Sequence, residues 1–154
     1  MTRTLHTDWL LDAGLAPNPA DTLAPLYAAA AAGELHLPRC GACGLALDLE
    51  QRVCDNCGAA DVAWGRVEPS GSVHSVTVVH RREAGLVLAQ EPYPVVDVEL
   101  TSGHRLVLAP VHPATAAPVI GDPVAIGFRQ LGSVAVPGFT TATASHDPFP
   151  EEAS

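Results

Sequence analysis

The sequence predicts a mainly β protein, with N-terminal helices, then a four-cysteine ribbon, then a small barrel of five strands. Three observations carry this expectation. Cys40-Gly41-Ala42-Cys43-Gly44 and Cys54-Asp55-Asn56-Cys57-Gly58 form two C-x-x-C-G knuckles ten residues apart. From Ser72 onward the apolar residues alternate, whereas before the first knuckle they follow helical spacing. The chain has 154 residues, 47% of them hydrophobic, which is the length of one ordinary domain, or of two very small ones if something other than a core stabilises the smaller. The expected divisions are a helical segment 1–36, a ribbon 37–66, a barrel 67–140 and a flexible tail 141–154.

In the first segment Leu5, Trp9, Leu10 and Leu11 are spaced for one face of a short helix, which Pro17-Asn18-Pro19 breaks. A second short helix follows. Pro25 is tolerated in its first turn, Leu26, Tyr27 and Ala30 form its apolar side, and Gly33 is placed to end it in a left-handed cap. Two readings of Trp9, Leu10, Leu11, Leu26 and Tyr27 stay open: they cover a small core, or they dock on a partner.

The paired knuckles are the one strong chemical motif. Each brings two sulfurs to the separation that one tetrahedral ion requires, and the glycine after the second cysteine allows the positive φ that completes the turn. A redox dithiol fits poorly, because such sites use a single C-x-x-C at a helix start. Free thiols, or iron in the same four-sulfur geometry, are also compatible with four cysteines. The spacing favours one structural Zn2+ per chain, held by Cys40, Cys43, Cys54 and Cys57, in a ribbon too small to fold on its own core.

Beyond the ribbon, Val73, Ser75, Thr77 and Val79 alternate with His74, Val76, Val78 and His80. Residues 94–100, 105–111, 123–130 and 134–139 supply four further strands, with a hairpin turn at Thr101-Ser102-Gly103-His104. Five short strands separated by turns suggest a closed or partly open barrel.

Charge and motifs exclude several functions. All eight basic residues are arginine, and seventeen carboxylates leave a net charge of −9, the wrong sign for a general nucleic-acid or anionic-membrane binder. No apolar run approaches a membrane span, and Thr7, Asp8 and Asp12 interrupt any secretory h-region, so a cytoplasmic location is expected. The chain has no G-x-S-x-G, Walker, H-E-x-x-H or G-x-G-x-x-G motif, and its seven histidines are scattered, as expected of surface or rim positions. Catalysis by this chain alone is not expected. Arg81, Arg82 and Arg105 stand near strand ends, where they either gather at one rim to hold a phosphate or pair with Glu83, Glu91 or Glu99.

The order of these parts resembles the DUF35 family of zinc-ribbon plus OB-fold proteins associated with acyl-CoA metabolism. The resemblance covers about residues 20–136. It rests on Leu26-Tyr27 through Gly33-Glu34-Leu35-His36-Leu37-Pro38-Arg39 and the first knuckle, and on the run after the second knuckle to Trp64. It also rests on Gly71 to Arg81, on Pro92-Tyr93-Pro94-Val95-Val96-Asp97-Val98-Glu99-Leu100 and on Ile120-Gly121-Asp122-Pro123-Val124-Ala125-Ile126-Gly127-Phe128. Many members carry prolines where this chain has Leu47-Asp48-Leu49-Glu50 and Asp55, a change in ribbon surface that leaves the ligands intact.

The resemblance implies a rubredoxin-like four-cysteine zinc ribbon, a five-stranded OB-fold barrel and a non-catalytic accessory role in a hetero-oligomer. The implied partner is a thiolase-superfamily enzyme, either a thiolase or a lipid-transfer-protein-type aldolase, that makes or breaks carbon–carbon bonds on acyl-CoA thioesters. The helices and ribbon would then dock, the barrel would help to shape the acyl-CoA entrance, and Arg81, Arg82 and Arg105 would meet CoA phosphates. Two other functions compete: an independent acyl-CoA binding protein, and a single-stranded nucleic-acid-binding OB protein. The second is opposed by a barrel with only Tyr93, Phe128 and Phe139 for stacking and no lysine.

Overall fold

The structure, a computed structural model, describes residues 5–141. The predicted tail lies outside the described residues except for Thr141, which ends the last strand. In chain order the elements are β1 (His6–Thr7), a 3-10 turn (Ala13–Leu15), α1 (Ala24–Ala31), β2 (His36–Cys40), β3 (Val62–Arg66), β4 (Ser70–Val79), β5 (Tyr93–Leu100), β6 (Arg105–Leu108), β7 (Pro123–Leu131) and β8 (Val134–Thr141).

The alternating segments form a barrel. β4 pairs antiparallel with β5 from Gly71↔Leu100 to Val79↔Tyr93, and β5 pairs antiparallel with β6. β7 and β8 form a second hairpin, and the start of β7 pairs with the start of β4 through Ser70↔Ala125 and Ser72↔Pro123. The chain beyond β6 then runs parallel to β8: Val111 N–H donates to Phe139 O at 2.9 Å, and Phe139 N–H donates to Ala109 O at 3.0 Å. The strand order β4-β5-β6-β8-β7-β4 is that of a five-stranded Greek-key OB barrel. Closure removes the long open edges that an isolated meander would expose.

Two glycines are required by this geometry. Gly103 takes φ 90° in the β5–β6 turn, a conformation that side chains with a Cβ resist. At Gly71 a Cβ would collide with the Glu99 carbonyl of β5, so only glycine allows the two strands to meet there.

α1 closes the core. Leu26, Tyr27 and Ala30 join Leu35 and Leu37 of the ribbon entry, and Val73, Val96, Val98, Phe128 and Phe139 of the barrel, in one buried cluster. Leu37 and Val98 are fully buried, and each such side chain contributes about 1.5–3 kcal/mol. The helix ends as its sequence predicts: Gly33 takes φ 77°, while Gly33 and Glu34 N–H groups donate to Ala30 and Ala29 carbonyls.

The first predicted helix does not form. His6 and Thr7 are extended instead, with β1 parallel to β7 in the register His6↔Arg129 and Thr7↔Gln130. The Asp8 carboxylate then turns the chain by accepting from the Leu10 and Leu11 N–H groups at 2.8 and 2.9 Å. Leu11 bridges to Val87, and Leu88 N–H donates to Leu10 O. A helix of two turns gains few internal hydrogen bonds, whereas the β7 edge supplies ready partners, so the pairing prevails over the helical spacing.

The same packing corrects the docking expectation. Leu10, Leu26 and Tyr27 are buried in this chain's own core. Trp9 and Leu11 are half-buried against Leu10, Val87 and Tyr93, and the Trp9 indole N–H donates to Pro110 O at 3.0 Å.

Candidate metal centre and its surroundings

β2 and β3 pair antiparallel from His36↔Arg66 to Cys40↔Val62 and hold the knuckles at the far end of this ribbon. The two knuckles repeat one hydrogen-bond pattern. Cys40 N–H donates to Leu45 O and Gly44 N–H to Cys40 O, both at 2.8 Å; Cys54 N–H donates to Ala59 O and Gly58 N–H to Cys54 O, both at 2.9 Å. Gly44 and Gly58 both take positive φ, 81° and 73°, as the motif requires.

The result is a cluster of four sulfurs within 4.8 Å of one another. Cys40 and Cys57 Sγ are 3.6 Å apart, as are Cys43 and Cys54 Sγ. A tetrahedral ion with Zn–S bonds of about 2.3 Å places its sulfurs about 3.8 Å apart, so the observed cage fits such an ion. Cys40 and Cys54 are buried and pack with Leu47, while Cys43 and Cys57 face outward.

The electrostatics point the same way. The Leu45 N–H and the Asn56 side chain favour the Cys43 thiolate and bring its pKa down to about 6. The backbone N–H of Cys43 lowers Cys40. At Cys57 the Ala59 N–H also pulls downward, but the crowded neighbouring sulfurs and loss of solvent outweigh it and push the group up to about 12. Four sulfurs at this spacing cannot all ionise without a cation among them, and a dication removes that conflict.

Behind the knuckles, the ribbon grips the barrel. The His104 ring, predicted at the surface or a rim, is only 4% exposed. Its Nε2 lies 2.7 Å from Pro38 O, and its Nδ1 lies 2.7 Å from Ser102 Oγ. A carbonyl only accepts, so Nε2 carries the proton and Nδ1 accepts from the Ser102 hydroxyl. Burial lowers the pKa of this ring, in keeping with the neutral form. Ser102 and His104 line none of the clefts around Arg81, Trp9 or Trp64, so this serine–histidine pair holds a turn. Its signal in the sequence is faint: one histidine beside a turn glycine.

The arginines do not converge. Arg105 pairs with Asp97 and donates to His74 Nδ1 at 2.9 Å. Asp97 lies opposite Ser75, four residues before β4 ends at Val79, which is about 13 Å of strand from the turn that carries Arg81 and Arg82. Arg81 pairs with Glu83, and Arg81 and Arg82 share a cleft with His80, Gln90, Glu91 and Pro92. The three-arginine rim is therefore corrected to two separate places, because the strand register sets them apart.

A further pair escaped the sequence. Arg129 Nη1 meets Asp8 Oδ1 at 3.3 Å, and the two side chains are 7% and 2% exposed. Asp8 Oδ2 and Arg129 Nε have no protein partner. Burial lowers the Arg129 pKa, and the Asp8 charge opposes that shift. This pair pins the N-terminal segment to β7.

The family described as ChsH2, C-terminal OB-fold domain, matches residues 64–129, from β3 to near the end of β7. A chain of the solved Ltp2-ChsH2(DUF35) aldolase is 30% identical, with a TM-score of 0.69, and the similarity covers 82% of this chain and 99% of that one. The chain belongs to the DUF35 family. No curated protein matches it. The family match begins at Trp64, beyond the second knuckle, so the sulfur cage of this DUF35 protein stands on its own geometry. Among the described residues no helix is long and apolar enough to cross a membrane.

Proposed function

We propose that this DUF35 protein is a non-catalytic accessory subunit of a thiolase-superfamily enzyme, a thiolase or a lipid-transfer-protein-type aldolase, acting on acyl-CoA thioesters. The observation that carries the reading is its likeness, at 30% identity, to nearly the whole of a chain in the Ltp2-ChsH2(DUF35) aldolase. The reacting groups then belong to the partner. Among the described residues the one serine–histidine pair holds a turn, which agrees with that division of labour.

In this reading Cys40, Cys43, Cys54 and Cys57 hold one structural Zn2+. Four sulfur ligands leave no position for water or substrate, so the ion stabilises the ribbon and supplies no chemistry to the reaction. The ribbon exposes Leu45 and Val53 beside the knuckles, 41% and 53% accessible, and these serve partner docking in place of the buried Leu10, Leu26 and Tyr27. The barrel forms part of the wall of the acyl-CoA entrance, and Arg82 is the arginine offered to a CoA phosphate, since Arg81 and Arg105 pair with carboxylates. The assembly is a cytoplasmic hetero-oligomer.

Reconstitution tests the reading. The purified chain alone turns over no acyl-CoA, and adding it to its thiolase-like partner raises the partner's acyl-CoA activity. An unchanged partner activity across stoichiometric addition contradicts the reading.

A further inference from the structure

The ribbon and the β5–β6 hairpin meet at one small junction, where the polar contacts come from Pro38 and Arg39, the two residues before Cys40. Pro38 O accepts twice: from Leu47 N–H at 3.0 Å within the ribbon, and from the buried His104 ring at 2.7 Å in the barrel. Arg39 also reaches both ways. Its guanidinium donates to Gly44 O at 3.2 Å in the first knuckle and to Ser102 O at 3.1 Å in the β5–β6 turn. Gly103, at the tip of that turn, lies against the ribbon's Ala46, whose Cβ would be 3.9 Å from a Cβ placed there.

Leu47 packs with Cys40 and Cys54, so the inner side of this junction is the core of the sulfur cage itself. Within the turn, Leu100 N–H donates to His104 O and Gly103 N–H to Leu100 O, both at 2.9 Å. Those amides report whether the turn is closed. The strands it joins carry the most exposed apolar side chain of the barrel, Val107, 72% accessible and opposite Asp97.

We propose that the ribbon is a metal-operated clasp on the barrel: an ion in the four-cysteine cage, through Arg39 and the Pro38 carbonyl, holds the β5–β6 turn closed. The inference rests on the reading of the cage as a metal site and adds a consequence outside the ribbon. Without the ion nothing ties the two knuckles to each other, the first knuckle loosens, and Gly44 O and Pro38 O move from the positions that Arg39 and His104 require. The turn then loses both clasping contacts at once. Among the described residues the β7–β8 hairpin shows no hydrogen bond to this junction, and it keeps its own pairing. Coupling of this kind links two sites through one packed, hydrogen-bonded element with two states.

Hydrogen exchange read by mass spectrometry tests it on the full chain, with metal content measured on each sample. In the metal-loaded protein peptides covering 100–108 are protected. After chelation they exchange about tenfold faster or more, as expected when two or more hydrogen bonds are lost, while peptides covering 123–141 are unchanged. Arg39→Ala, with its metal retained, reproduces part of the acceleration in 100–108. Three results overturn the clasp. In the first, chelation deprotects 36–66 and leaves 100–108 as before. In the second, all peptides deprotect together, which makes the metal a support of the whole fold. In the third, metal-loaded Arg39→Ala exchanges like the wild type. A purified, folded chain that holds no metal and takes none up removes the metal reading itself, and the clasp falls with it.

Discussion

Replacing Asp8 by alanine strands a buried cation. The Asp8 carboxylate accepts from the Leu10 and Leu11 N–H groups at 2.8 and 2.9 Å and faces Arg129 at 3.3 Å, with both side chains less than one-tenth exposed. Removing one member of a buried pair costs about 3–5 kcal/mol, because the survivor is left charged and desolvated. For a chain of this size each kcal/mol lowers Tm by about 2–4 °C, so thermal unfolding followed by circular dichroism should fall by about 6–20 °C in Asp8→Ala. The double variant Asp8→Asn, Arg129→Met separates charge from shape. It keeps an oxygen for the two backbone donors and removes both charges, so it should lie within about 1–2 kcal/mol of the wild type. An Asp8→Ala variant within about 1 kcal/mol of the wild type refutes the reasoning, as does a double variant no more stable than the single one.

Three further outcomes are expected. Elemental analysis of purified protein should find one zinc per chain, and Cys40→Ser or Cys54→Ser, at the two buried positions, should lose most of it together with the ribbon's exchange protection. Burial lowers the His104 pKa below its ordinary 6.5, so the unfolded chain binds that proton more tightly and stability falls as pH drops below about 6.5. Urea midpoints between pH 8 and 5.5 should show this slope in the wild type and a shallower one in His104→Ala; equal slopes exclude the ring as its source. Gly71→Ala must force β4 away from the Glu99 carbonyl, at a cost of about 1–3 kcal/mol read as a lower Tm, whereas an unchanged Tm contradicts the close approach.

The parts of the fold that were legible in the sequence are those set by local pattern. Alternation marks β4, β5, β7 and β8 to within two or three residues, and the turn at Gly103 lies where the glycine places it. β6 is shorter than expected, ending at Leu108 instead of continuing to Val111, because the chain leaves β5 there and turns to β8. The cage is legible because knuckle spacing is itself a geometric statement about sulfur positions. What was not legible depends on contacts between distant residues. The first helix gives way to pairing with β7, more than one hundred residues away, and the Asp8–Arg129 pair spans 121 positions. The three arginines were grouped by their nearness to strand ends, and only the register shows that those ends differ. His104 carries no local mark of burial, since the ribbon that covers it arrives from the other side of the sequence.

Partnership with a thiolase-superfamily enzyme is tested by affinity purification of the tagged chain from its native lysate, with mass spectrometry of retained proteins and zinc measured on the same sample. A thiolase-like protein should be retained in stoichiometric amount beside zinc-loaded chain. Zinc-loaded chain recovered alone, at concentrations where a stable subunit would remain bound, contradicts it.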